Sequence, residues 1–255
     1  MKKFNFIFDK SKKGNNLKKI ILKKYKNYPI KNSKVIVVGG GDGFMLKTIK
    51  KLYRYNKPFY GINCGSVGFL LNKYVSKKIT ERVNKAKITL IYPLQVKAIS
   101  KGKKNSSFLA INELSLFRQS KQTSSLQLKA NKKILIKKLV GDGLLLSTPA
   151  GSTAYNLSVN GPILSLNSKK MAITPISPFR PRRWKGKIIS DKISINIKNL
   201  DPQKRPVAAV ADNNEIRNII SVKASINKNI KFKLLFNSGE SLFKKIKSEQ
   251  KRKID

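Results

Sequence analysis

Two aspartates, each between glycines, are the residues of this chain best suited to chemistry. Asp42 lies in VIVVGGGDGFML (35–46) and Asp142 lies in LVGDGLLL (139–146), each after a run with β-branched residues. An aspartate between glycines at the exit of a buried strand brings a carboxylate and several free backbone N–H groups together, which suits phosphate chemistry. Because the chain has only 12 acidic residues against 56 Lys and Arg, we interpret both carboxylates as functional.

The glycines around Asp42 favour a phosphate-binding turn. Consecutive glycines after a strand allow positive φ angles and a close approach of the backbone to a ligand. The helix that is predicted over 44–55 would offer the N–H groups of its first turn to an anion. The motif is neither the Walker loop GxxxxGK[ST] nor GxGxxG. A structural alternative, in which Asp42 only caps the helix, explains the local pattern equally well.

The second aspartate begins a segment that is rich in hydroxyl groups. Few structural turns need so many of them, and helix capping accounts for one or two. A turn is predicted at Pro149 and Gly151, and Ser152 or Thr153 is expected to cap a short helix, which leaves the other hydroxyl groups for a base or a ribose. The polar side chains of this segment are Asp142, Ser147, Thr148, Ser152, Thr153, Tyr155, Asn156 and Ser158.

Three shorter motifs carry weaker signals. Asn112 and Glu113 are adjacent in the strand motif AINELSLF, so one side chain faces the core and the other faces away. An acid in the interior needs a partner. Asp212 and Asn213 in AVADNNEIR are more typical of a turn, and the three glycines of GINCGSVGFL (61–70) suit the wall of a pocket or a loop.

The elements that must position these residues fall into two patterns. Up to residue 90, β-branched or aromatic runs alternate with amphipathic helices, which predicts an α/β domain with a mostly parallel sheet over 1–90. Short strands with polar turns then predict a β-rich, sandwich-like domain over 91–236, followed by a helical or frayed tail over 237–255. The predicted strands include 4–8, 34–38, 58–63 and 230–236, and the predicted helices are 16–27, 44–55 and 76–87.

The composition excludes several kinds of chemistry. The chain has no histidine and a single cysteine, Cys64, so a disulfide framework, a multi-cysteine zinc site and a histidine-dependent catalytic triad are excluded. Any proton transfer must therefore use a carboxylate, Lys, Tyr or water. No apolar run of about 18 residues and no signal peptide is evident, which predicts a cytoplasmic protein without a membrane segment.

The formal net charge of +44 first suggests a nucleic acid or an anionic membrane as partner. However, the lysines are spread over nearly every segment. In the helix predicted over 16–27, Leu17, Ile20, Ile21 and Tyr25 form one face and lysines fill the other. We therefore interpret most lysines as a solvated surface, which would still attract anionic nucleotides at low salt.

Taken together, five motifs resemble those of the bacterial ATP- or polyphosphate-dependent NAD kinases in order and spacing. They are GGGDGFML, GINCGSVGFL, NEL, VGDGLLLSTPAGSTAYNLSVNGP and AITPISPFRPR. The resemblance covers residues from about 35 to 217. GGDG alone is shared with lipid kinases and phosphofructokinases, whereas STPAGSTAYNLS singles out NAD kinases. The resemblance implies a transferase that phosphorylates the 2′-hydroxyl of the adenosine ribose of NAD and produces NADP. A GGDG-type lipid kinase and a basic nucleic-acid-binding protein are the alternatives.

The resemblance also implies roles for residues near the first motif. Asp42 would be the general base that accepts the proton of the 2′-hydroxyl, Gly43 would contact phosphates through its backbone, and Lys47 would neutralise a pyrophosphate. Since phosphoryl transfer passes through a loose transition state, positioning by Asp42 matters more than its basicity. Mg²⁺ or another divalent metal would shield the phosphates of ATP or polyphosphate, with no ligands assigned. The family also implies a homodimer or homotetramer.

The other implied residues would bind NAD. Asn112 and Glu113 resemble the pair that contacts the adenosine and its ribose, and Asp142 resembles the acid that reaches the nicotinamide side. The stretch after Gly151 resembles the wall of the adenine pocket. The remaining residues that the resemblance implies are Ala150, Thr153, Ala154, Tyr155, Asn156, Leu157, Ser158 and Asn213.

Overall fold

The computed structural model describes residues 3–65, 68–75, 79–102, 104–239 and 245–246. The chain divides into two compact units. The first unit comprises Met1–Ile91 and Lys231–Asp255, and the second unit is Tyr92–Ile230. Most of the tail that was predicted over 237–255 lies outside the described residues.

The helices and strands are short and closely spaced along the chain. The helices are α1 (Lys12–Lys24), α2 (Asp42–Leu52), α3 (Ile79–Lys85) and α4 (Tyr155–Ser158). The strands are β1 (Phe4–Phe8), β2 (Val35–Gly40), β3 (Phe59–Asn63), β4 (Lys87–Ile91), β5 (Leu94–Ser100), β6 (Asn105–Ala110), β7 (Glu113–Arg118), β8 (Ser124–Ala130), β9 (Lys133–Gly141), β10 (Gly143–Ser147), β11 (Lys170–Ile176), β12 (Lys187–Ser190), β13 (Ile195–Asn199), β14 (Val207–Ala211), β15 (Asn214–Ile216), β16 (Ile219–Ile226) and β17 (Phe232–Phe236).

The first unit contains a mostly parallel sheet, as predicted. Its strand order is β1-β2-β3-β17-β4, with parallel pairing from β1 to β17 and antiparallel pairing between β17 and β4. The sequence assigned β17 to the second domain, but the structure places it in this sheet. Phe232, Leu234, Leu235 and Phe236 are all buried, which suits an interior strand covered on both faces. Such a pattern does not specify which sheet the strand joins.

The first two helices of the first unit, α1 and α2, begin earlier than predicted. The hydroxyl of Ser11 accepts the N–H of Gly14 at 3.0 Å, so α1 begins at Lys12. Leu17 and Ile21 are buried, whereas Ile20 is 47% exposed, so its assignment to the buried face was wrong. None of the described helices has both the length and the apolar character to cross a membrane.

The second unit is a sandwich of two antiparallel sheets. Their strand orders are β12-β11-β10-β7-β14-β15 and β6-β5-β16-β13-β8-β9. Alternate residues of both sheets form one core, because successive side chains of a strand face opposite sides. Leu94 and Val96 of β5, for example, belong to the same buried cluster as Leu144 and Leu146 of β10. This arrangement confirms the predicted β-rich, sandwich-like domain.

Three adjacent strands of the second unit position most of the implied NAD-binding residues. β7 lies between β10 and β14, with Ser147 opposite Glu113 and Ala211 opposite Leu114. The start of β7 and the carboxyl ends of β10 and β14 therefore meet at one edge of the sheet. Asp142 precedes β10 and so lies at the opposite end of that strand.

Candidate active site

Asp42 is the first residue of α2, and its carboxylate binds the segment that comes after β3. Its Oδ2 accepts the N–H of Phe69 at 2.8 Å, and its Oδ1 accepts the N–H of Leu70 at 2.9 Å. The N-cap residue of α2 is Gly41, and no side chain caps the helix there. The alternative in which Asp42 only caps its helix is therefore wrong. Both carboxylate oxygens have fixed orientations, and each keeps a further lone pair for a ligand.

The surroundings of Asp42 make it a better base than a solvated aspartate. Burial raises the pKa of Asp42, and this effect exceeds the opposing effects of the N–H groups of Leu70 and Phe69 and of the positive charge of Lys245. The ammonium of Lys245 donates to the carbonyl oxygens of Phe69, at 3.1 Å, and Leu71. The cation therefore stands beside the same segment that the carboxylate binds. A raised pKa favours acceptance of a proton near neutral pH.

The glycines next to Asp42 serve two different purposes. None of the glycines in the described segment 39–43 has a positive φ, so that expectation was wrong. A Cβ on Gly39 would lie 2.7 Å from the ring of Phe8, so packing requires glycine there. In contrast, no described heavy atom lies within 4 Å of a Cβ added to Gly41 or Gly43. Their backbone is open at the start of α2, where helical N–H groups lack partners within the helix.

A cavity of about 360 Å³ lies at the carboxyl end of β3. Asn63, Cys64 and Gly65 line it together with residues of α1, which agrees with the predicted pocket wall; positions 66 and 67 of that motif lie outside the described residues. Burial, with a smaller contribution from the charge of Asp9, raises the pKa of Cys64 to about 11. The thiol is therefore protonated at neutral pH. Ligands of parallel sheets bind at such strand ends.

In the second unit, the carboxylate of Asp212 holds the backbone around Asn112. Its oxygens accept three consecutive N–H groups, those of Ile111 at 2.8 Å, Asn112 at 2.8 Å and Glu113 at 3.3 Å. The sequence indicated Asp212 only as a turn residue, because nothing local shows that its carboxylate reaches a strand about 100 positions earlier.

The same backbone is held from the other side by the hydroxyl-rich segment. Thr148 donates its N–H to the carbonyl oxygen of Asn112 at 2.9 Å and its hydroxyl to that of Ile111 at 2.6 Å. A Cβ on Gly151 would lie 2.2 Å from the carbonyl oxygen of Asn112, so only glycine fits there. The Thr148 hydroxyl thus serves the framework and not a ligand.

Asn112 and Glu113 each have one side-chain oxygen that suits a polar ligand. Oδ1 of Asn112 and Oε2 of Glu113 are buried and have no hydrogen-bond partner among the described residues. Buried polar atoms without partners are costly and rare, so these two oxygens are suited to a polar ligand. Burial, and then the negative charge of Asp212, raise the pKa of Glu113 to about 8. At neutral pH its carboxyl group is protonated and can donate a hydrogen bond.

The second Gly-Asp-Gly does not form a phosphate cradle. Asp142 lies between β9 and β10, and its N–H donates to the carbonyl oxygen of Ile176 at 3.0 Å. A Cβ on Gly143 would lie 1.9 Å from the carbonyl oxygen of Leu116, so this glycine permits close strand pairing. In the described structure the backbone N–H of Asp142 is not free for a ligand, because it takes part in the hydrogen bonds between the strands. Its carboxylate instead pairs with Arg118, with 2.5 Å between Oδ1 and Nε.

The hydroxyl-rich segment uses its serine to shape a loop. The expectation that Ser152 or Thr153 caps the short helix was wrong, because the cap of α4 is Ala154, which forms no side-chain hydrogen bond. The hydroxyl of Ser152 donates to the carbonyl oxygen of Pro149 at 2.8 Å and accepts the N–H of Leu164 at 3.0 Å. The pattern predicted a cap because it does not show these distant partners.

Asn156 also belongs to the framework. Its side chain is fully buried. Its Nδ2 donates to the carbonyl oxygen of Pro162 at 3.0 Å, and its Oδ1 accepts the hydroxyl of Thr174 at 2.7 Å. Although the resemblance implied a ligand contact for this residue, the structure uses its amide to attach α4 to β11.

Tyr155 stacks on a residue that the sequence did not single out. Its ring lies 5.6 Å from that of Phe117, centroid to centroid, at an interplanar angle of 30°. Burial, followed by the charges of Asp142 and Glu113, raises the pKa of Tyr155. The tyrosine is therefore close enough to both acids, Glu113 at the start of β7 and Asp142 just before β10, for their charges to affect it. An aromatic residue in a strand gives no local sign of such a role.

The other implied residues differ in exposure. Ala150 and Thr153 are buried, at 4% and 5% exposure. Ala154 and Leu157 are partly exposed. Gly43, Lys47, Ser158 and Asn213 are exposed. The first unit thus carries Asp42, Gly43 and Lys47, and the second unit carries the rest.

Comparisons with known proteins identify the family. A family model described as the ATP-NAD kinase C-terminal domain matches residues 111–228. The NAD kinase of Zymomonas mobilis subsp. mobilis is 43% identical over 232 residues, which cover 90% of this chain and 90% of that protein. The NAD kinase of Caulobacter vibrioides is 45% identical over 219 residues, 86% of this chain and 84% of that protein. The chain belongs to the NAD kinase family.

Solved structures of an NAD kinase and of an NADH kinase share the fold. A crystal structure of an NAD kinase from Archaeoglobus fulgidus in complex with ATP matches with a TM-score of 0.76 and 21% identity, over 96% of this chain and 99% of that chain. Yeast NADH kinase complexed with NADH matches with a TM-score of 0.73 and 23% identity, over 91% and 71% of the two chains. At these identities the matches establish the fold class.

Membership of the NAD kinase family makes this chain an enzyme and a phosphotransferase, as the resemblance implied. The comparisons favour neither the lipid kinase nor the nucleic-acid-binding protein. The matched range 111–228 also contains Asn112, Glu113 and Asp212, the three residues whose contacts are described above.

Proposed function

We propose that this member of the NAD kinase family transfers the γ-phosphoryl group of ATP to the 2′-hydroxyl of the adenosine ribose of NAD, which yields NADP. One observation carries the proposal. The Asp42 carboxylate is half-buried, has a raised pKa and is oriented by two backbone N–H groups at the start of α2. Beside it, Gly41 and Gly43 have open backbone that suits phosphate oxygens.

In the proposed reaction, Asp42 accepts the proton of the 2′-hydroxyl while the hydroxyl oxygen forms a bond to the γ-phosphorus. The bond between the γ-phosphorus and its bridging oxygen breaks, and ADP leaves. Because the transition state is loose, little deprotonation precedes the attack. The main contribution of Asp42 is therefore to orient the hydroxyl oxygen. Lys47, exposed on α2, supplies positive charge for the pyrophosphate.

The second unit would recognise NAD. Asn112 Oδ1 accepts a hydrogen bond from the adenosine part, and the protonated carboxyl of Glu113 donates one to a ribose oxygen. We propose that Asp142 contacts the nicotinamide side. The proposed adenine pocket comprises Ala150, Thr153, Ala154, Tyr155, Leu157, Ser158 and Asn213. Asn156 would support this pocket through its hydrogen bonds to Pro162 and Thr174.

The described residues contain no cluster of three or more metal-binding side chains. Among them, no group of three or more His, Cys, Asp or Glu is placed to hold an ion. Mg²⁺ typically binds proteins through one or two carboxylates and substrate phosphates. We therefore propose that a divalent metal binds to the enzyme as a complex with the phosphates of ATP.

A direct assay tests the activity. Purified protein with NAD, ATP and Mg²⁺ is expected to produce NADP, detected by a dehydrogenase that is specific for NADP. Polyphosphate and other nucleoside triphosphates in place of ATP identify the donor. Lack of NADP with every donor would contradict the proposed function. Light scattering tests the homodimer or homotetramer, and cell fractionation tests the cytoplasmic location.

Gly43→Ala is expected to separate folding from phosphate binding. The added methyl group meets no described atom within 4 Å, and alanine is favoured over glycine in a helix by about 0.8–1 kcal/mol. The variant should therefore be as stable as the wild type or slightly more stable. If the backbone of Gly43 contacts a phosphate, however, the KM for ATP should rise severalfold.

The matched control is Gly39→Ala. Its methyl group would lie 2.7 Å from Phe8, so we expect a loss of about 1–3 kcal/mol in the free energy of unfolding. Urea unfolding and initial rates at varied ATP measure both effects. An unchanged KM for ATP in a stable Gly43→Ala protein would remove Gly43 from the proposed phosphate site.

A further inference from the structure

Asp212 has a backbone conformation that its surroundings must maintain. It lies in the two-residue turn between β14 and β15 with a φ of 50°, a left-handed value that few non-glycine residues adopt. Its N–H donates to the carbonyl oxygen of Glu113 at 3.1 Å, while its carboxylate accepts the N–H groups of residues 111–113. The turn and the start of β7 are therefore joined in both directions.

The contacts of Asp212 determine where two side chains point. Three consecutive N–H groups that converge on one carboxylate fix the backbone dihedral angles of Asn112 and Glu113. On the other side, Thr148 binds the carbonyl oxygens of Ile111 and Asn112. The unpartnered Oδ1 of Asn112 and Oε2 of Glu113 thus project from a backbone with little freedom.

We propose that Asp212 is a positioning residue for NAD, which aims Asn112 and Glu113 at the adenosine ribose through the backbone N–H groups that its carboxylate binds. The inference rests on the proposed function, because it assigns those two side chains to NAD. Asp212 itself touches no substrate in this arrangement, and it acts through its neighbours.

The charge of Asp212 gives the proposal a second, electrostatic consequence. Its carboxylate opposes ionisation of Glu113, in addition to the effect of burial on the pKa of that acid. Ser147, opposite Glu113 on β10, is uncharged. Tyr155 of α4 is a further titratable group near Glu113, and the charge of Asp142 also raises the pKa of that tyrosine. Removal of the charge at position 212 should therefore lower the pKa of Glu113.

Two variants test the positioning role. Asp212→Asn removes the charge and one acceptor oxygen, and Asp212→Gly removes the whole side chain. Asparagine and glycine both tolerate a φ of 50°, so the turn should survive. The control is Asp201→Asn, in the same unit, because the Oδ1 of Asp201 also accepts a backbone N–H, that of Lys204 at 3.2 Å.

The expected result separates the two substrates. Both Asp212 variants should raise the KM for NAD by about tenfold or more, as for the loss of hydrogen bonds to a charged group. The KM for ATP should stay near that of the wild type. Asp201→Asn should change neither constant. Equal losses for NAD and ATP, or an unchanged KM for NAD, would overturn the proposal.

The pH profile distinguishes positioning from a general structural defect. In the wild type, kcat/KM for NAD should fall above about pH 8, where Glu113 loses its proton. In Asp212→Asn this fall should begin at a lower pH, and in Glu113→Gln it should disappear. A fall at the same pH in Asp212→Asn would overturn the electrostatic part.

The proposed function can fail separately from this inference. If the wild type produces no NADP, the proposed function is wrong, whatever the Asp212 variants do. Calorimetric titration of NAD into the wild type and the Asp212 variants then decides the inference alone. Weaker NAD binding in the variants supports positioning, and equal binding in all proteins overturns it.

Discussion

Asp42→Asn is expected to lower kcat by about 10²–10⁴-fold, the usual contribution of a general base. The amide has nearly the same shape as the carboxylate but cannot accept the proton of the 2′-hydroxyl. Its oxygen can still accept one of the two N–H groups, from Phe69 or Leu70, that the carboxylate binds. The affinity for NAD, measured by calorimetry, should change little, because the proposed NAD contacts lie mainly in the second unit.

The pH dependence of kcat provides an independent test of Asp42. Because burial raises the pKa of this carboxylate, kcat should increase with pH as Asp42 loses its proton, and Asp42→Asn should lack that limb. A variant that keeps more than about a tenth of the wild-type kcat would contradict the role of base, since general bases contribute at least about a hundredfold. Thermal unfolding of both proteins shows whether the variant has kept the stability of the wild type.

Glu113→Gln is expected to stabilise the protein at high pH. The pKa of Glu113 rises from 4.5 in the unfolded chain to about 8 in the folded one. Between these values the folded state binds more protons, so stability falls as pH rises and the loss is complete above about pH 8. The glutamine has no such loss, so its advantage should reach the order of 3–5 kcal/mol at high pH.

Urea unfolding at pH 4 and pH 8.5 measures this difference. At pH 4 the carboxyl is mostly protonated in both states, so the wild type and Glu113→Gln should have similar stability. The control Glu215→Gln changes an exposed side chain that pairs with Arg217, and such surface pairs contribute about 0–1 kcal/mol. If Glu113→Gln has no advantage at pH 8.5, Glu113 is not protonated in the folded protein at neutral pH.

Periodic patterns predicted the two kinds of sheet, because hydrophobic spacing reports local geometry. They did not place β17, since a short apolar run gives no information on its long-range partner. The two Gly-Asp-Gly motifs show the same limit. Asp42 precedes a helical pattern and begins α2, whereas Asp142 precedes a β run and joins two strands. Because the triplet itself is identical, the residues after it decide whether its backbone is open to a ligand.

For the candidate site, the sequence singled out Asp42, Asn112 and Glu113, whose residue types are rare in their settings and whose roles remain predictions. It could not identify the residues that hold them, because those contacts join distant parts of the chain. Asp212 binds residues about 100 positions earlier, and Asp42 binds Leu70 across 28 positions. Three of the hydroxyl groups that suggested ligand contacts, those of Ser147, Thr148 and Ser152, instead donate to backbone carbonyl groups.

The position of β17 has a consequence for synthesis of the chain. A ribosome that has made Ile226 has already made every strand of the second unit, whereas the sheet of the first unit still lacks the strand between β3 and β4. Until Phe232–Phe236 emerge, β3 has an unpaired edge that is open to association with other chains. The domain whose translation begins first is therefore the last to complete its sheet, and the open strand edge favours aggregation of the nascent chain until then.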